Sequence, residues 1–287
     1  VLSEIIQLSI YGIVLGSILA LGAMGVSMIF GILRFAHFAH GDLMTFGAYT
    51  GLSFLLVTGL PFWWALPAGM AGAAIMAVLI DQTVYRFMRR SSPVILLISS
   101  FGMALILRSL VQLIWGSHVL VYTTEIQRPW RIFDIRIIPT HVWIVLAVVV
   151  IVILLHLFLT RTRLGKAMRA MSDNMDLALV TGIPAQRVIL LTWLLGGALA
   201  GAAGVLLGMD SRLIPTMGWS TLLPIFAAAI LGGIGRPYGA IAGAMIIGLS
   251  MELSTLFIDP AYKPAVAFVL MVVVLILRPQ GIFRGTV

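Results

Sequence analysis

Two histidines and a carboxylate stand within six residues of one another: His37, His40 and Asp42, in the run Arg34-Phe35-Ala36-His37-Phe38-Ala39-His40-Gly41-Asp42. Imidazoles and a carboxylate so close together suggest metal ligation, proton exchange or the lining of a polar route. A metal needs further ligands, and no third ligand set is evident beside them. One His–Asp hydrogen bond would satisfy these groups equally well. Two readings therefore stand level: a hinge between two apolar stretches, or a solute pathway lined by His37, His40, Gly41, Asp42 and Tyr49.

Two more charges sit inside apolar stretches. Arg108 lies about 15 residues into one, roughly 22 Å from its end, and Glu252 is similarly deep in another. Insertion of Arg at mid-membrane costs about 2.5–3.5 kcal/mol. Arg108 and Glu252 are expected either to snorkel outwards or pair with each other, or to hold the carboxylate and ammonium of a zwitterionic solute. Gly232, Gly233 and Gly235 suit a tight backbone break. They do not make a phosphate cradle, because the chain has no Gly-x-x-x-x-Gly-Lys-Ser/Thr run, and Gly165-Lys166-Ala167 lacks both its leading glycine and its hydroxyl residue. ATP hydrolysis by that route is excluded. No catalytic set and no cofactor is expected, and with no cysteine the chain has neither disulfides nor a thiolate metal site.

The elements that position these residues follow from composition. Of 287 residues, 61% are apolar and 10% charged, against about 45–50% and 25% in soluble domains. A soluble fold could not hide that much apolar surface, so the expected solvent is lipid. Apolar runs fall at 8–30, 43–58, 62–80, 94–116, 142–159, 188–208, 220–235, 238–258 and 264–277. The first is too long for a signal-peptide core and has no basic residue before it, so it reads as a true span. The run 43–58 reaches only about 24 Å and suits a re-entrant or broken helix. The expectation is an all-α, polytopic bundle of eight or nine transmembrane helices forming one domain over 1–287. Glycines four apart (Gly12/Gly16, Gly47/Gly51, Gly197/Gly201, Gly204/Gly208, Gly235/Gly239/Gly243) predict closely approaching helices.

The formal charge of +8 is a matter of topology. With nine spans, twelve cations share the side of the 160–187 loop: Arg34, Arg86, Arg89, Arg90, Arg161, Arg163, Lys166, Arg169, Arg187, Arg236, Arg278 and Arg284. Five lie opposite: Arg128, Arg131, Arg136, Arg212 and Lys263. The basic side is the inner one by the positive-inside rule, and no nucleic-acid role is implied. Within the 160–187 loop a short helix is expected, with Asp173 as N-cap, Asp176 at its third position, Leu177 and Ala178 in its body, Gly182 just past its end and Pro184 blocking continuation. It either docks on a cytoplasmic partner or lies on the membrane as a linker.

The run Leu19-Ala20-Leu21-Gly22-Ala23-Met24-Gly25-Val26-Ser27-Met28-Ile29-Phe30-Gly31, continuing into Phe38-Ala39-His40-Gly41-Asp42, resembles the permease family of branched-chain amino-acid ABC importers. Arg163-Leu164-Gly165, Thr181-Gly182-Ile183, Gly196-Gly197-Ala198-Leu199-Ala200-Gly201 and Leu231-Gly232-Gly233 extend the resemblance over nearly the whole chain, although His37 stands where such permeases often carry Asn. It implies a non-enzymatic transport subunit in a bacterial plasma membrane, with the C-terminus and the 160–187 loop cytoplasmic. The implied partners are a second homologous permease, two cytoplasmic ATP-binding subunits, an extracytoplasmic solute-binding protein and membrane lipid. The segment containing Asp173, Asp176, Leu177, Ala178 and Gly182 would be the ATPase-coupling helix. The implied cargo is a branched-chain or related amino acid. Related permeases for urea and short amides, and a stand-alone ion-coupled transporter, are the alternatives.

Overall fold

The computed structural model describes residues 2–89, 91–122, 128–132, 135–278 and 280–283. Arg90 and Arg284, both counted above on the basic side, lie outside the described residues. Among the described residues nine apolar helices make the bundle: α1 (Leu2–Leu33), α2 (His40–Thr58), α3 (Ala65–Ile80), α4 (Pro93–Trp115), α5 (Pro139–Arg161), α8 (Ala185–Asp210), α9 (Met217–Gly232), α10 (Pro237–Leu253) and α11 (Lys263–Leu277), with two shorter ones, α6 (Arg163–Asp173) and α7 (Met175–Val180), between α5 and α8. Seven of the nine, counting the turns Phe62–Trp64 and 81–88 that flank α3 and one-turn extensions of α10 and α11, are long and apolar enough to cross a membrane; of the other two, α9 has 16 residues, while α2 has 19 and is too polar. Seven helices among the described residues thus meet the requirement for a span where eight or nine were expected. A small antiparallel hairpin, β1 (Trp130–Ile132) and β2 (Ile135–Ile137), lies between α4 and α5.

Why α2 starts on polar residues and α9 is short is visible in their connections. Arg34 ends α1 in the left-handed region, with φ +56°. The non-helical segment 34–39 then turns back into the bundle and α2 begins beside Gly25, two turns deep in α1, where the His40 ring sits against Gly25. At the opposite side α8 ends at Asp210, and the segment 211–216 leads into α9. Leu213 in that segment is fully buried and exchanges backbone hydrogen bonds with Leu120, at 2.9 and 3.0 Å. Irregular backbone at membrane depth survives only where protein shields it; in 34–39 only Arg34 is exposed, whereas in 211–216 only Leu213 and Pro215 are buried.

The two arrangements are copies of one another. Leu33 and Asp210, and likewise His40 and Met217, are 177 residues apart. Exchanging α1 with α8, α2 with α9, α3 with α10 and α4 with α11 maps the main packing pairs onto themselves: α1·α10 onto α8·α3, α2·α8 onto α9·α1, and α2·α4 onto α9·α11. The Arg34 guanidinium donates to the Ser172 carbonyl at 3.0 Å, so α1 runs towards the 160–187 loop, whereas α8 departs from it. The copies are therefore inverted. They meet where Gly41 of α2 and Gly218 of α9 lie backbone against backbone, an approach that a Cβ on either residue would block. The four-residue glycine spacing works as expected, with Gly201 on Gly69 and Gly16 on Gly248. The inner helices α1 and α8 are mostly buried, while α4, α5 and α11 present apolar faces outward.

Candidate functional site

The third residue of α2, Asp42, is fully buried and receives a forked ion pair from Arg108 of α4, Nε to Oδ1 at 3.0 Å and Nη2 to Oδ2 at 3.2 Å. The third residue of α9, Trp219, lies under the same guanidinium, its ring centroid 4.8 Å from Cζ. A bidentate carboxylate and an aromatic face together are the setting that a planar guanidinium fits and an ammonium does not. The Arg108 side chain keeps 18% of its surface exposed, although it sits well inside an apolar helix on the outer flank of the bundle. Thr45 of α2 ties the crossing together by accepting the Gly218 N–H at 3.0 Å. Below it, the Ala39 N–H donates to Ser100 Oγ of α4 at 3.2 Å. Above it, Tyr49 is buried with no partner for its hydroxyl among the described residues, and its ring lies 5.4 Å from Trp115.

The His–Asp hydrogen bond that could have satisfied these groups does not form; Arg108 holds the Asp42 carboxylate instead. His37 is caged by Trp193, Tyr85 and Phe35 at ring centroids 4.8, 5.5 and 6.1 Å away, with His40 also at 6.1 Å. Neither ring nitrogen of His37 has a hydrogen-bond partner among the described residues. Arg108 and Glu252 do not pair with each other either. Glu252 takes Lys263 Nζ at 2.7 and 2.8 Å, eleven residues on and at the far end of α10 from the 160–187 loop. Each buried charge has a local counter-ion, which removes the reason for the two to meet.

In the 160–187 loop, α6 is amphipathic. Gly165, Met168 and Met171 face inward while Arg163, Lys166 and Arg169 are exposed. Helix α6 runs through Asp173, so the N-cap of α7 is Asn174 rather than Asp173. Asn174 is extended (φ −154°, ψ 104°) and its Oδ1 accepts the Leu177 N–H at 3.0 Å, which puts Asp176 second in the helix. Gly182 has φ +84°, and the Gly182 and Ile183 N–H groups return to Leu179 and Ala178, as in a helix terminated by a left-handed residue. Ala178 is turned inward, whereas Leu177 and Val180 are exposed at 62% and 86%.

The sequence model of the family described as "Branched-chain amino acid transport system / permease component" matches residues 8–275. The chain belongs to this permease family. Among its relatives, the high-affinity branched-chain amino acid transport system permease protein LivH of Escherichia coli is 34% identical, over 94% of this chain and 92% of that protein. The corresponding protein BraD of Pseudomonas aeruginosa is 32% identical over 96% and 95%. A second permease protein of the E. coli high-affinity system, LivM, is 25% identical over 92% of this chain and 67% of its own length. As a member of this permease family the chain is an integral membrane protein, and the Phe-Ala-His-Gly-Asp run of the family resemblance is the segment that delivers Asp42 to Arg108. Trp219 and Thr45 escaped the sequence reading. The one available signal was the Gly-Asp of 41–42 recurring as Gly-Trp at 218–219, the same distance into two helices.

Proposed function

We propose that this chain is the permease subunit of an ATP-driven importer of branched-chain or related aliphatic amino acids, with the route along the α2–α4–α9 face at Asp42, Arg108 and Trp219. The observation that carries the reading is the partly exposed Arg108 on the flank of an apolar bundle. Lipid is a poor neighbour for a guanidinium, and a cation at such depth belongs beside water or protein. A second homologous permease closing over this face would enclose the route. Two E. coli permease relatives named for one branched-chain system favour a pair of different chains. Arg108 commits Nε and Nη2 to Asp42, so Nη1 remains to receive a solute carboxylate.

In this reading the 160–187 loop and the C-terminus are cytoplasmic, in keeping with the basic residues gathered there. Helix α7 offers Leu177 and Val180 to a groove on one of two ATP-binding subunits, which carry the hydrolysis. An extracytoplasmic binding protein delivers solute to the opposite face. ATP-driven movement of α7 passes to α1 through the Arg34–Ser172 contact and shifts the helices that line the route. The chain itself catalyses no reaction.

The test is the reconstituted transporter with its binding protein. Arg108→Lys, which keeps a counter-ion for Asp42 but removes the guanidinium fork, is expected to lower leucine uptake at least about tenfold, the loss of a charge-assisted contact, with assembly intact by size-exclusion chromatography. Val180→Asp is expected to leave assembly of the permease pair unchanged and to uncouple ATP hydrolysis from uptake. Normal solute-stimulated hydrolysis coupled to uptake in both variants would refute the reading, and uptake of urea in place of leucine would move the cargo to amides.

A further inference from the structure

A pocket of about 250 Å³ opens on the side of the 160–187 loop, away from the Asp42–Arg108 pair, among the ends of α1, α3, α4 and α8 and the first residue of α7. Three departures from regular structure border it. Arg34 is left-handed. Helix α3 widens into a π turn over Asp81–Tyr85, and such turns are frequent at functional sites. Asp81 is almost wholly buried and holds the Arg89 guanidinium through Oδ2, yet its Oδ1 has no hydrogen-bond partner among the described residues. A buried carboxylate oxygen without a donor is costly and calls for an explanation.

The π turn explains how these groups share one wall. It places Asp81 and Tyr85 on the buried face, and Arg89 lies one further turn on. Phe35 and Tyr85 border the pocket and separate it from the caged His37 and from Trp193, on which Tyr85 stacks at 5.1 Å. The remaining wall is apolar, formed largely by Leu96, Ile189 and Met175. Drug-sized sites occupy about 300–1,000 Å³, so this smaller space suits a single amino acid. An anion lacking a donor, a guanidinium and an aliphatic wall are the three features that would recognise one.

We propose that this pocket binds a free aliphatic α-amino acid arriving from the side of the 160–187 loop, with its ammonium on Asp81, its carboxylate on Arg89 and its side chain against Leu96, Ile189 and Met175. The proposal rests on the cargo assignment above and adds regulation to it. The ammonium supplies the donor that Oδ1 lacks. Because Met175 opens α7, an occupied pocket ties the docking helix to the ends of α3, α4 and α8 and opposes its movement. Imported solute thereby restrains further import.

The experiment uses the complete transporter in vesicles with the ATP-binding subunits outward and leucine-loaded binding protein in the lumen. L-leucine added outside is expected to lower ATP hydrolysis at least about fivefold, consistent with the one to two charge-assisted contacts proposed. Leucinamide, which lacks the carboxylate, and 4-methylpentanoate, which lacks the ammonium, are expected to leave hydrolysis unchanged. Leu96→Trp, which fills the pocket, is expected to abolish the inhibition, and Arg89→Gln to raise the half-inhibitory leucine concentration about tenfold or more. The analogue series needs no variant, so it decides the matter even if Leu96→Trp does not assemble. Unchanged hydrolysis in millimolar external leucine, or equal inhibition by all three compounds, overturns the proposal. Leucine uptake measured from the binding-protein side of the same preparation keeps the two ideas apart. Its failure counts against the cargo assignment, whereas intact uptake without inhibition counts against this pocket alone.

Discussion

Helices α2 and α9 hold matching places in two inverted copies of one arrangement, yet their third residues are a carboxylate and an indole. Asp42 and Trp219 both address Arg108, one by a forked ion pair and the other by its ring face. The backbone is thus nearly two-fold where the chemistry is not. Two carboxylates on one guanidinium would leave an uncompensated buried anion, and two indoles would leave an uncompensated cation. A single Asp with a single Trp gives one neutral, directional pole. The connecting segments differ likewise. The segment 211–216 is pinned by the Leu213–Leu120 backbone bridge, whereas 34–39 carries His37, whose ring nitrogens have no partner among the described residues.

The difference between the two helices can be broken outright by removing the charge. Asp42→Ala strands Arg108 and is expected to destabilise the subunit by about 3–5 kcal/mol. Thermal unfolding in detergent would register it, and Asp42→Ala with Arg108→Leu is expected to recover most of the loss while remaining inactive in uptake. An unchanged melting temperature for the single variant would show that the pair anchors nothing. The shared backbone feature comes next. Gly218→Ala places a methyl on the Gly41 carbonyl and is expected to cost about 1–3 kcal/mol, the usual range for overpacking. Gly102→Ala in α4, where the new methyl meets open space, is the control and is expected to melt as the parent does. The smallest effect is expected from Trp219→Leu, which keeps the bulk and removes a cation–π contact of about 0.5–2 kcal/mol. A loss from Trp219→Leu that exceeded the loss from Asp42→Ala would reverse the assignment of the ion pair as the dominant contact.

Much of the bundle was legible because lipid imposes a simple rule on sequence. Nine apolar stretches, their small-residue faces and the basic side of the 160–187 loop all follow from it. The left-handed Gly182 was readable too, since few residues accept that conformation at a helix end. The N-cap was misplaced by one residue because α6, a basic helix with no apolar run to announce it, extends through Asp173. The partner of Asp42 could not be read, since it lies 66 residues away and only the depth at which α2 begins brings the two together. Glu252 and Lys263 were close enough in sequence to pair on paper, but placing them on different helices hid the contact. The inverted copies carry almost no sequence likeness beyond Gly41 and Gly218, so the symmetry is visible in packing alone.

The crossing of Gly41 and Gly218 leaves no room for α2 and α9 to slide past each other, and Thr45 fastens the joint. Such a joint behaves as the rivet of a pair of scissors. Because the blades leave it in opposite directions, spreading them at one surface of the membrane draws them together at the other. A leak open to both sides at once would require the rivet itself to fail.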